Sequence, residues 1–430
     1  MLETAATRLG LHDGYHVNQL RGAMPPSVVP GLRFGRMGKE AMATLGFMDD
    51  HDVIEHVLSH VRDGTTDEGD EVWREPVANY CSEDRFGREL AVLRRTPVPF
   101  CPSAALGEPG AYVARVAAGV PIVAVRGRDG TVRAFRNACR HRGAEVASGM
   151  GCSKAFVCPF HGWTYGLDGQ LKRIHHERGF PDVDRSTHGL APVLAQERSG
   201  LVFITQDGQG TEPDPGLGLP DLTSDDLDLL ETTDGEIDVN WKVLVEGAIE
   251  GYHIRFGHPE TFFPYGYDNL NIVEHSGPNS RVTFPFRRIE KLADVPVEDR
   301  QIAGRVTFVY HVFPNALVTV LSHHTILVVF EPIAPGRTQN ISYSLAHTGG
   351  DPEAIETARR DARFVTETGA PEDFALAESV QRTMASGANE YLTFGHYERA
   401  VVHFHRNLQA ALEEASPAGA ADPARSSRPA

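Results

Sequence analysis

The 430-residue sequence is poor in cysteine, in basic residues and in long apolar runs. Five cysteines are too few to staple a chain of this length, and an odd number cannot all pair, so a disulfide scaffold is excluded. No stretch approaches the ~18 consecutive apolar residues of a membrane-crossing helix. The N-terminal MLETAATRLGLHDGYHVNQL has neither a basic start nor a continuous apolar core, so no secretory signal is expected there. Lys and Arg number 41 against 58 Asp and Glu, a formal charge of −17 that removes the basic field nucleic-acid phosphates require. Internal repeats are missing too. What is present is 41% hydrophobic against 23% charged residues, which builds a sizeable core rather than a disordered chain. The length suggests roughly two to three domains. Twenty histidines against five cysteines suit metal chemistry in a cytoplasmic protein better than disulfides.

Along the chain, residues 1–76 read as an N-terminal extension. It holds one amphipathic helix from Asp50 to Arg62, where Val53, Ile54, Val57, Leu58 and Val61 recur at helical spacing, and then an acidic turn over 63–70. A helix in SEDRFGRELAVLRR leads into a Pro-rich connection at 97–102 and a strand-rich region. There, short runs at 111–118, 121–127 and 131–137 are strands, with Arg128-Asp129-Gly130 turning the last pair, and Asp168-Gly169 repeats the device. A closing strand at 201–205 precedes a Gly/Pro/Asp-rich linker over 207–226. The second half mixes a helix from Lys242 to about Phe256, five strands between 281 and 347, and helices over 351–368, 371–387 and 396–415. The Pro/Ala/Ser tail 416–430 is expected to be disordered. This is an α+β pattern: an all-β domain over 77–207 with a lead-in helix, then a larger domain over 208–415 with an antiparallel sheet flanked by helices.

Two cysteines fall into a pattern with histidines. Cys139-Arg140-His141 is followed, after sixteen intervening residues, by Cys158-Pro159-Phe160-His161, so each of two β loops offers one thiolate and one imidazole. A Cys₂His₂ zinc site is one use of such a set, although zinc modules usually pair like ligands. Mixed C-x-H and C-x-x-H loops suit a [2Fe–2S] cluster with two thiolates on one iron and two neutral imidazoles on the other. That ligation raises the potential to about −150 to +300 mV, against about −400 mV for all-thiolate plant-type ferredoxins. The segments NACRHRGAEVASGMG and FVCPFHGWTYGLDGQL resemble a Rieske domain. Respiratory-chain Rieske proteins carry two further cysteines that tie the loops together. Only Cys152 lies between the loops here, so the resemblance implies no such disulfide. Cys81 and Cys101 lack a surrounding motif, and buried packing is their default.

A second set lies downstream in NWKVLVEGAIEGYHIRFGH, residues 240–258. Glu250 and His253, three apart, share a helical face. Gly257 and Pro259 end the helix and let His258 fold back toward it. Two histidines need one carboxylate to complete the facial triad of a non-haem Fe(II) oxygenase. PEDFALAESVQRTM offers Asp373, with Glu372 adjoining it. Taken with the first motif, residues 77–412 resemble the α (terminal oxygenase) subunit of Rieske non-haem iron oxygenases, a group that includes aromatic-ring dioxygenases and carnitine–glycine betaine monooxygenases. The resemblance implies Cys139, His141, Cys158 and His161 on the cluster and His253, His258 and Asp373 on mononuclear Fe(II). It also implies Glu250 as the acid linking a metal-bound histidine to a Rieske histidine of a neighbouring subunit. Glu rather than Asp at 250 looks like the quaternary-amine enzymes, whereas Gly247-Ala248 departs from their usual Asn-Phe.

The resemblance further implies O₂ as cosubstrate, electrons from an NAD(P)H-linked reductase with or without a ferredoxin, a small-molecule substrate, and a homotrimer. The expected reaction is hydroxylation or oxidative N-demethylation, with aromatic cis-dihydroxylation as the alternative. Phe262, Phe263, Tyr265 and Tyr267 follow the histidines at once. They could cage a methylammonium group, wall an aromatic ring, or simply pack in the core. A Rieske electron carrier or a zinc-stabilised binding protein would leave the Glu250, His253, His258 and Asp373 set without a purpose.

Overall fold

The computed structural model describes residues 46–208, 218–223 and 227–415; the N-terminal segment read for a secretory signal, most of the linker and the Pro/Ala/Ser tail lie outside them. The first described element is α1 (Asp50–Asp63). Asp49 caps it by accepting from the Asp52 N–H, and Gly64 ends it in the left-handed conformation at φ 65°. Its apolar stripe, Val53, Ile54 and Val57, is fully buried in one core with Ile272, Ile289, Leu292 and Phe308. Each such side chain contributes about 1.5–3 kcal/mol by leaving water. α1, within the extension, is therefore packed on the sheet of the second half and its neighbours.

β1 (Trp73–Pro76) and the one-turn α2 (Ala78–Cys81) lead to α3 (Glu83–Arg95), which begins where the Ser82 hydroxyl accepts from the Arg85 N–H. Next come β2 (Val98–Pro102), β3 (Ala111–Ala117), β4 (Val120–Arg126), β5 (Val132–Arg136) and β6 (Gly149–Cys152). The hairpin β7 (Phe156–Val157), β8 (Thr164–Tyr165) and β9 (Leu171–Arg173) follows, then β10 (Pro192–Arg198) and β11 (Leu201–Thr205). They form a seven-stranded sheet in the order β2-β11-β10-β5-β4-β3-β6 and a three-stranded one, β7-β8-β9. The Pro-rich connection expected at 97–102 is in fact strand β2. It lies on the sheet edge, where a proline costs no ladder hydrogen bond on its outer side.

The second half opens with β12 (Asp228–Ile237) and α4 (Trp241–Ala248). The single turn α5 (Ile254–Gly257), β13 (Ile272–Ser276), β14 (Asn279–Pro285), β15 (Val306–Val312), β16 (Ala316–Val320), β17 (Thr325–Ala334) and β18 (Arg337–Ala346) follow. The sheet is antiparallel, in the order β12-β18-β17-β16-β15-β14-β13. Its edge strand β12 carries no sequence signal of its own: DLLETTDGEI is polar and mostly exposed, and it is a strand because β18 offers it a nine-pair ladder. α6 (Pro352–Phe364) and α7 (Ala370–Met384) run on through a wider π-turn, Val365–Gly369. Pro371 lacks an N–H and would clash with the carbonyl four residues back, and the widened turn makes room for it. β19 (Tyr391–Phe394) pairs with β1, and α8 (Arg399–Glu414) closes the chain.

The helix expected from Lys242 to Phe256 is two. α4 stops at Ala248, and Ile249–Gly251 turn before α5, because Gly247 and Gly251 weaken the helix and the Glu250 carboxylate caps the next turn instead of projecting from a continuous one. α4 is anchored from α3 by a buried ionic knot: Lys242 Nζ lies 2.8 and 3.0 Å from the two Glu89 oxygens, and Trp241 Nε1 and Arg85 Nε also donate to Glu89. Cys81 is exposed, contrary to the default of packing, because α2 is a single turn at the surface; Cys101 is buried, and that burial pushes its thiol up to about 12. Among the described residues no helix is long and apolar enough to cross a membrane.

Candidate functional site

The two Cys–His loops are built alike. The Cys139 N–H donates to Ala144 O and Cys139 O accepts from the Gly143 N–H, both at 2.8 Å. In the second loop Cys158 N–H donates to Trp163 O at 2.8 Å and Cys158 O accepts from the Gly162 N–H at 3.0 Å. Both glycines stand four residues after the cysteine at positive φ, 79° and 72°, where a side chain would be strained. Each loop thus folds tightly around its cysteine and turns its histidine outward. Cys139 and Cys158 are buried, at 4% and 3% exposure, while the His141 and His161 rings meet edge to face with centroids 4.7 Å apart. His141 also stacks flat on Trp163 at 5.0 Å.

Several features suit these four side chains to an iron–sulfur cluster. The Nδ1 atom of His161 is buried without a hydrogen-bond partner, as a donor facing a bound group would be. Burial, then the neighbouring His161 and Arg142, hold His141 below its ordinary value and keep its imidazole neutral. The Tyr165 hydroxyl accepts from the Arg140 N–H at 2.9 Å and lies 3.2 Å from Cys139 Sγ, a contact of the kind that raises a cluster's potential. Among the described residues, triads with donor atoms within 4.8 Å of one another are His56/His60/Asp67 and His253/His258/Asp373. The Cys–His set does not contract onto one point as a single zinc requires.

The second constellation does converge on one point. His253 Nε2 and His258 Nε2 lie 3.5 and 2.8 Å from the same oxygen of Asp373, and the two rings are 5.2 Å apart at 62°. His253 is brought in by the turn before α5: Glu250 Oε2 accepts from the N–H groups of Tyr252 and His253, while Oε1 bonds His253 Nδ1. His258 ends that turn and is 1% exposed. Asp373 comes from the first turn of α7.

Adjacent Glu372, about 100° round the helix from Asp373, reaches the other side of His258. Its Oε2 lies 2.7 Å from His258 Nδ1 and accepts from the Thr261 hydroxyl at 2.6 Å. Each imidazole therefore has a carboxylate on Nδ1 and the shared Asp373 on Nε2. The Nδ1 partners fix which nitrogen carries the proton and turn each Nε2 lone pair toward the common point. In sequence, Glu372 is legible only as a competitor for the ligand position; its role depends on the helix phase that separates the two carboxylates.

Electrostatics fit the same picture. Burial disfavours the charged imidazole of His253, but Asp373 and Glu250 outweigh it and lift the group to about 10. His258 is raised by Asp373 and Glu372 against burial, and Asp373 is lowered by the two histidines against burial. Such a site holds either protons or a metal between imidazole and carboxylate, so metal binding there releases protons. The aromatics that follow do not close into a cage. Phe262 packs on His258 at 4.7 Å and would overlap any Cβ added to Gly369. Phe263 is flanked by Arg255 and Arg287 at 5.6 Å, Tyr267 donates to Glu290, and Tyr265 is exposed.

Residues 96–184 match the Rieske [2Fe-2S] domain, and residues 224–414 match the ring hydroxylating alpha subunit (catalytic domain). The chain belongs to the Rieske oxygenase α subunits. It is 28% identical over 344 residues to the carnitine monooxygenase oxygenase subunit of Acinetobacter baumannii, covering 74% of this chain and 86% of that one. Its fold superposes on the quaternary ammonium Rieske monooxygenase CntA with a TM-score of 0.68 at 22% identity, covering 85% of this chain and 99% of that one. On naphthalene 1,2-dioxygenase from Rhodococcus sp. the TM-score is 0.67 at 19% identity, covering 88% and 100%. As a Rieske oxygenase α subunit the chain is an oxidoreductase. Its first domain takes a [2Fe–2S] cluster, its second takes mononuclear iron and uses O₂, and a reductase supplies the electrons.

Proposed function

We propose that Cys139, Cys158, His141 and His161 hold the cluster, that His253, His258 and Asp373 hold Fe(II), and that this oxygenase subunit inserts one oxygen atom into a C–H bond of a small substrate bearing a methylated ammonium group. The observation that carries the reading is the convergence of two imidazoles and one carboxylate within 4.8 Å, in a chain that also carries the Cys–His loops. When bound, the two centres supply single electrons and oxygen activation, with the overall balance R–H + O₂ + 2e⁻ + 2H⁺ → R–OH + H₂O; hydroxylation of an N-methyl carbon then releases formaldehyde and the demethylated amine. The chain's own residues do the rest. Glu250 and Glu372 hold protons on the Nδ1 atoms of His253 and His258 and aim each Nε2 lone pair at the metal. Phe262 covers one side of His258 with an apolar ring. The substrate class is supported by the carnitine-oxidising relative, which spans 74% of the chain, and by Glu at position 250.

The assembly in this reading is a head-to-tail homotrimer, in which Glu250 of one subunit faces the Rieske histidines of the next. Two exposed apolar patches support it. On the cluster face Phe160 is 53% exposed beside an open depression lined by His141, His161, Trp163 and Phe180. On the Glu250 turn, Tyr252 and Phe256 are 55% and 85% exposed. Heterologous contact between two such patches closes into a ring of three when neighbours are related by a threefold rotation. A cytoplasmic setting follows from dependence on an NAD(P)H-linked reductase, with or without a ferredoxin.

The deciding experiment supplies reduced holoenzyme with ¹⁸O₂ and a panel of methylammonium compounds and aromatic acids. The expected result is a hydroxylated product carrying a single labelled oxygen, or formaldehyde released with the demethylated amine, from a methylammonium substrate. A cis-diol with both atoms labelled would instead establish the ring dioxygenase reading. Cys139→Ser should remove the cluster's visible absorption, and Asp373→Ala should keep it while abolishing turnover.

A further inference from the structure

Outside the residues matched by either domain family, α1 and the turn after it bring together three more metal-ligating side chains. His56 and His60 stand four residues apart, so their imidazoles leave the helix on one face, with centroids 4.7 Å apart and planes 22° apart. Asp67 returns to that face beyond Gly64: its Oδ1 lies 3.3 Å from His56 Nε2 and 3.1 Å from His60 Nε2. The three donor atoms fall within 4.8 Å of one another.

Two of the donors are held from behind. Thr65 Oγ1 lies 2.7 Å from His60 Nδ1, and the Val273 N–H donates to Asp67 Oδ2 at 2.8 Å. Further ties fix the turn to the start of β13: the Asp67 N–H donates to Asn271 O at 3.4 Å, and the Thr66 hydroxyl donates to the same carbonyl at 3.3 Å. In the tautomer that donates Nδ1–H to Thr65, His60 turns a lone pair toward an anionic oxygen. Two acceptors that close are held together by a shared proton or by a metal cation.

We propose that His56, His60 and Asp67 form a second metal site, open at its fourth position, for a divalent first-row transition ion, with zinc as the probe. Two imidazoles and a carboxylate are a donor set of tetrahedral zinc centres that keep a fourth position for water. Imidazole ligation selects such ions over magnesium or calcium. The fourth position faces solvent, since the His56 side chain is 38% exposed against 13% for His60 and 12% for Asp67. A bound ion joins α1 to its following turn and, through Asp67, to the edge of the catalytic sheet. It thereby fastens α1 to the domain that carries His253 and His258.

The test uses the full-length iron-loaded protein, its His56→Ala variant, and the same pair in an Asp373→Ala background, all equilibrated with buffered zinc and measured for zinc and iron per chain. His56 is a half-exposed helix position whose contacts are Asp67 and the His60 ring, so alanine there leaves the fold intact, with the cluster's visible spectrum as the check. The expected result is one zinc per chain lost on His56→Ala in both backgrounds, with iron unchanged. Zinc affinity should fall by more than the roughly 10–100-fold that losing an outer hydrogen-bond partner costs, and zinc should raise the melting midpoint only where His56 is present. Equal zinc content with and without His56 would overturn the site and leave a protonated His–Asp contact. Zinc uptake matched by iron loss, and absent in the Asp373→Ala background, would overturn it equally.

Discussion

Replacing Glu372 by alanine removes the oxygen that holds His258 from its far side without touching Asp373. His258 is 1% exposed and Glu372 32% exposed, so only water entering the space the carboxylate vacates replaces it on His258 Nδ1; the Thr261 hydroxyl loses the same acceptor. An orphaned buried donor costs about 1–3 kcal/mol. Loss of an outer partner of a metal-bound histidine costs about 10–100-fold in metal affinity, equivalent to roughly 1.4–2.7 kcal/mol. The two routes agree, so Glu372→Ala should weaken mononuclear iron binding by one to two orders of magnitude. Glu372→Gln keeps an acceptor but loses its charge and should lose less. The assay is iron retained per chain against a chelator series, with the cluster's absorption as an internal control for folding. Unchanged iron retention in Glu372→Ala would refute the argument, as would a glutamine variant that loses as much as alanine.

Two further outcomes concern stability. Lys242→Met leaves Glu89 buried with Arg85 as its remaining charged partner, which should cost about 3–5 kcal/mol. For a chain of this length that is a fall of roughly 3–6 °C in melting midpoint. Adding Glu89→Gln should recover part of the loss, and strict additivity of the two substitutions would show that the pair is uncoupled. On pH, burial holds His311 and His324 at about 4, against an unfolded value of ~6.5. Below pH 6.5 the unfolded chain binds protons that the folded chain refuses, so their contribution is complete above 6.5 and is lost as pH falls toward 4, by up to about 1.4 kcal/mol per pH unit for each. Because the ring nitrogens of His324 have no hydrogen-bond partner, His324→Phe should flatten the slope measured by melting between pH 7 and 5. An unaltered slope would count against it.

Local chemistry determined much of what the sequence alone made legible. Cysteine, histidine and a glycine four residues later specify each loop, because only a positive φ closes the turn around the cysteine. Strands β3, β4 and β5 and helices α1 and α3 follow from periodicity and caps within their own residues. Neighbours decided the rest. β12 is a strand because of its ladder to β18, a partner far along the chain. The continuous helix read through Glu250 breaks because that carboxylate is more useful as a cap and as the partner of His253 Nδ1 than as an exposed residue on a helix face. The meeting of His253 and His258 with Asp373, 115 residues beyond His258, depends on α7 packing beside α5, and the division of labour between Glu372 and Asp373 depends on the phase of that helix. The sequence by itself therefore determined which donor atoms the protein owns and the short turns that present them. Only the tertiary structure decided which donors share a point, because that depends on contacts between segments that no local pattern encodes.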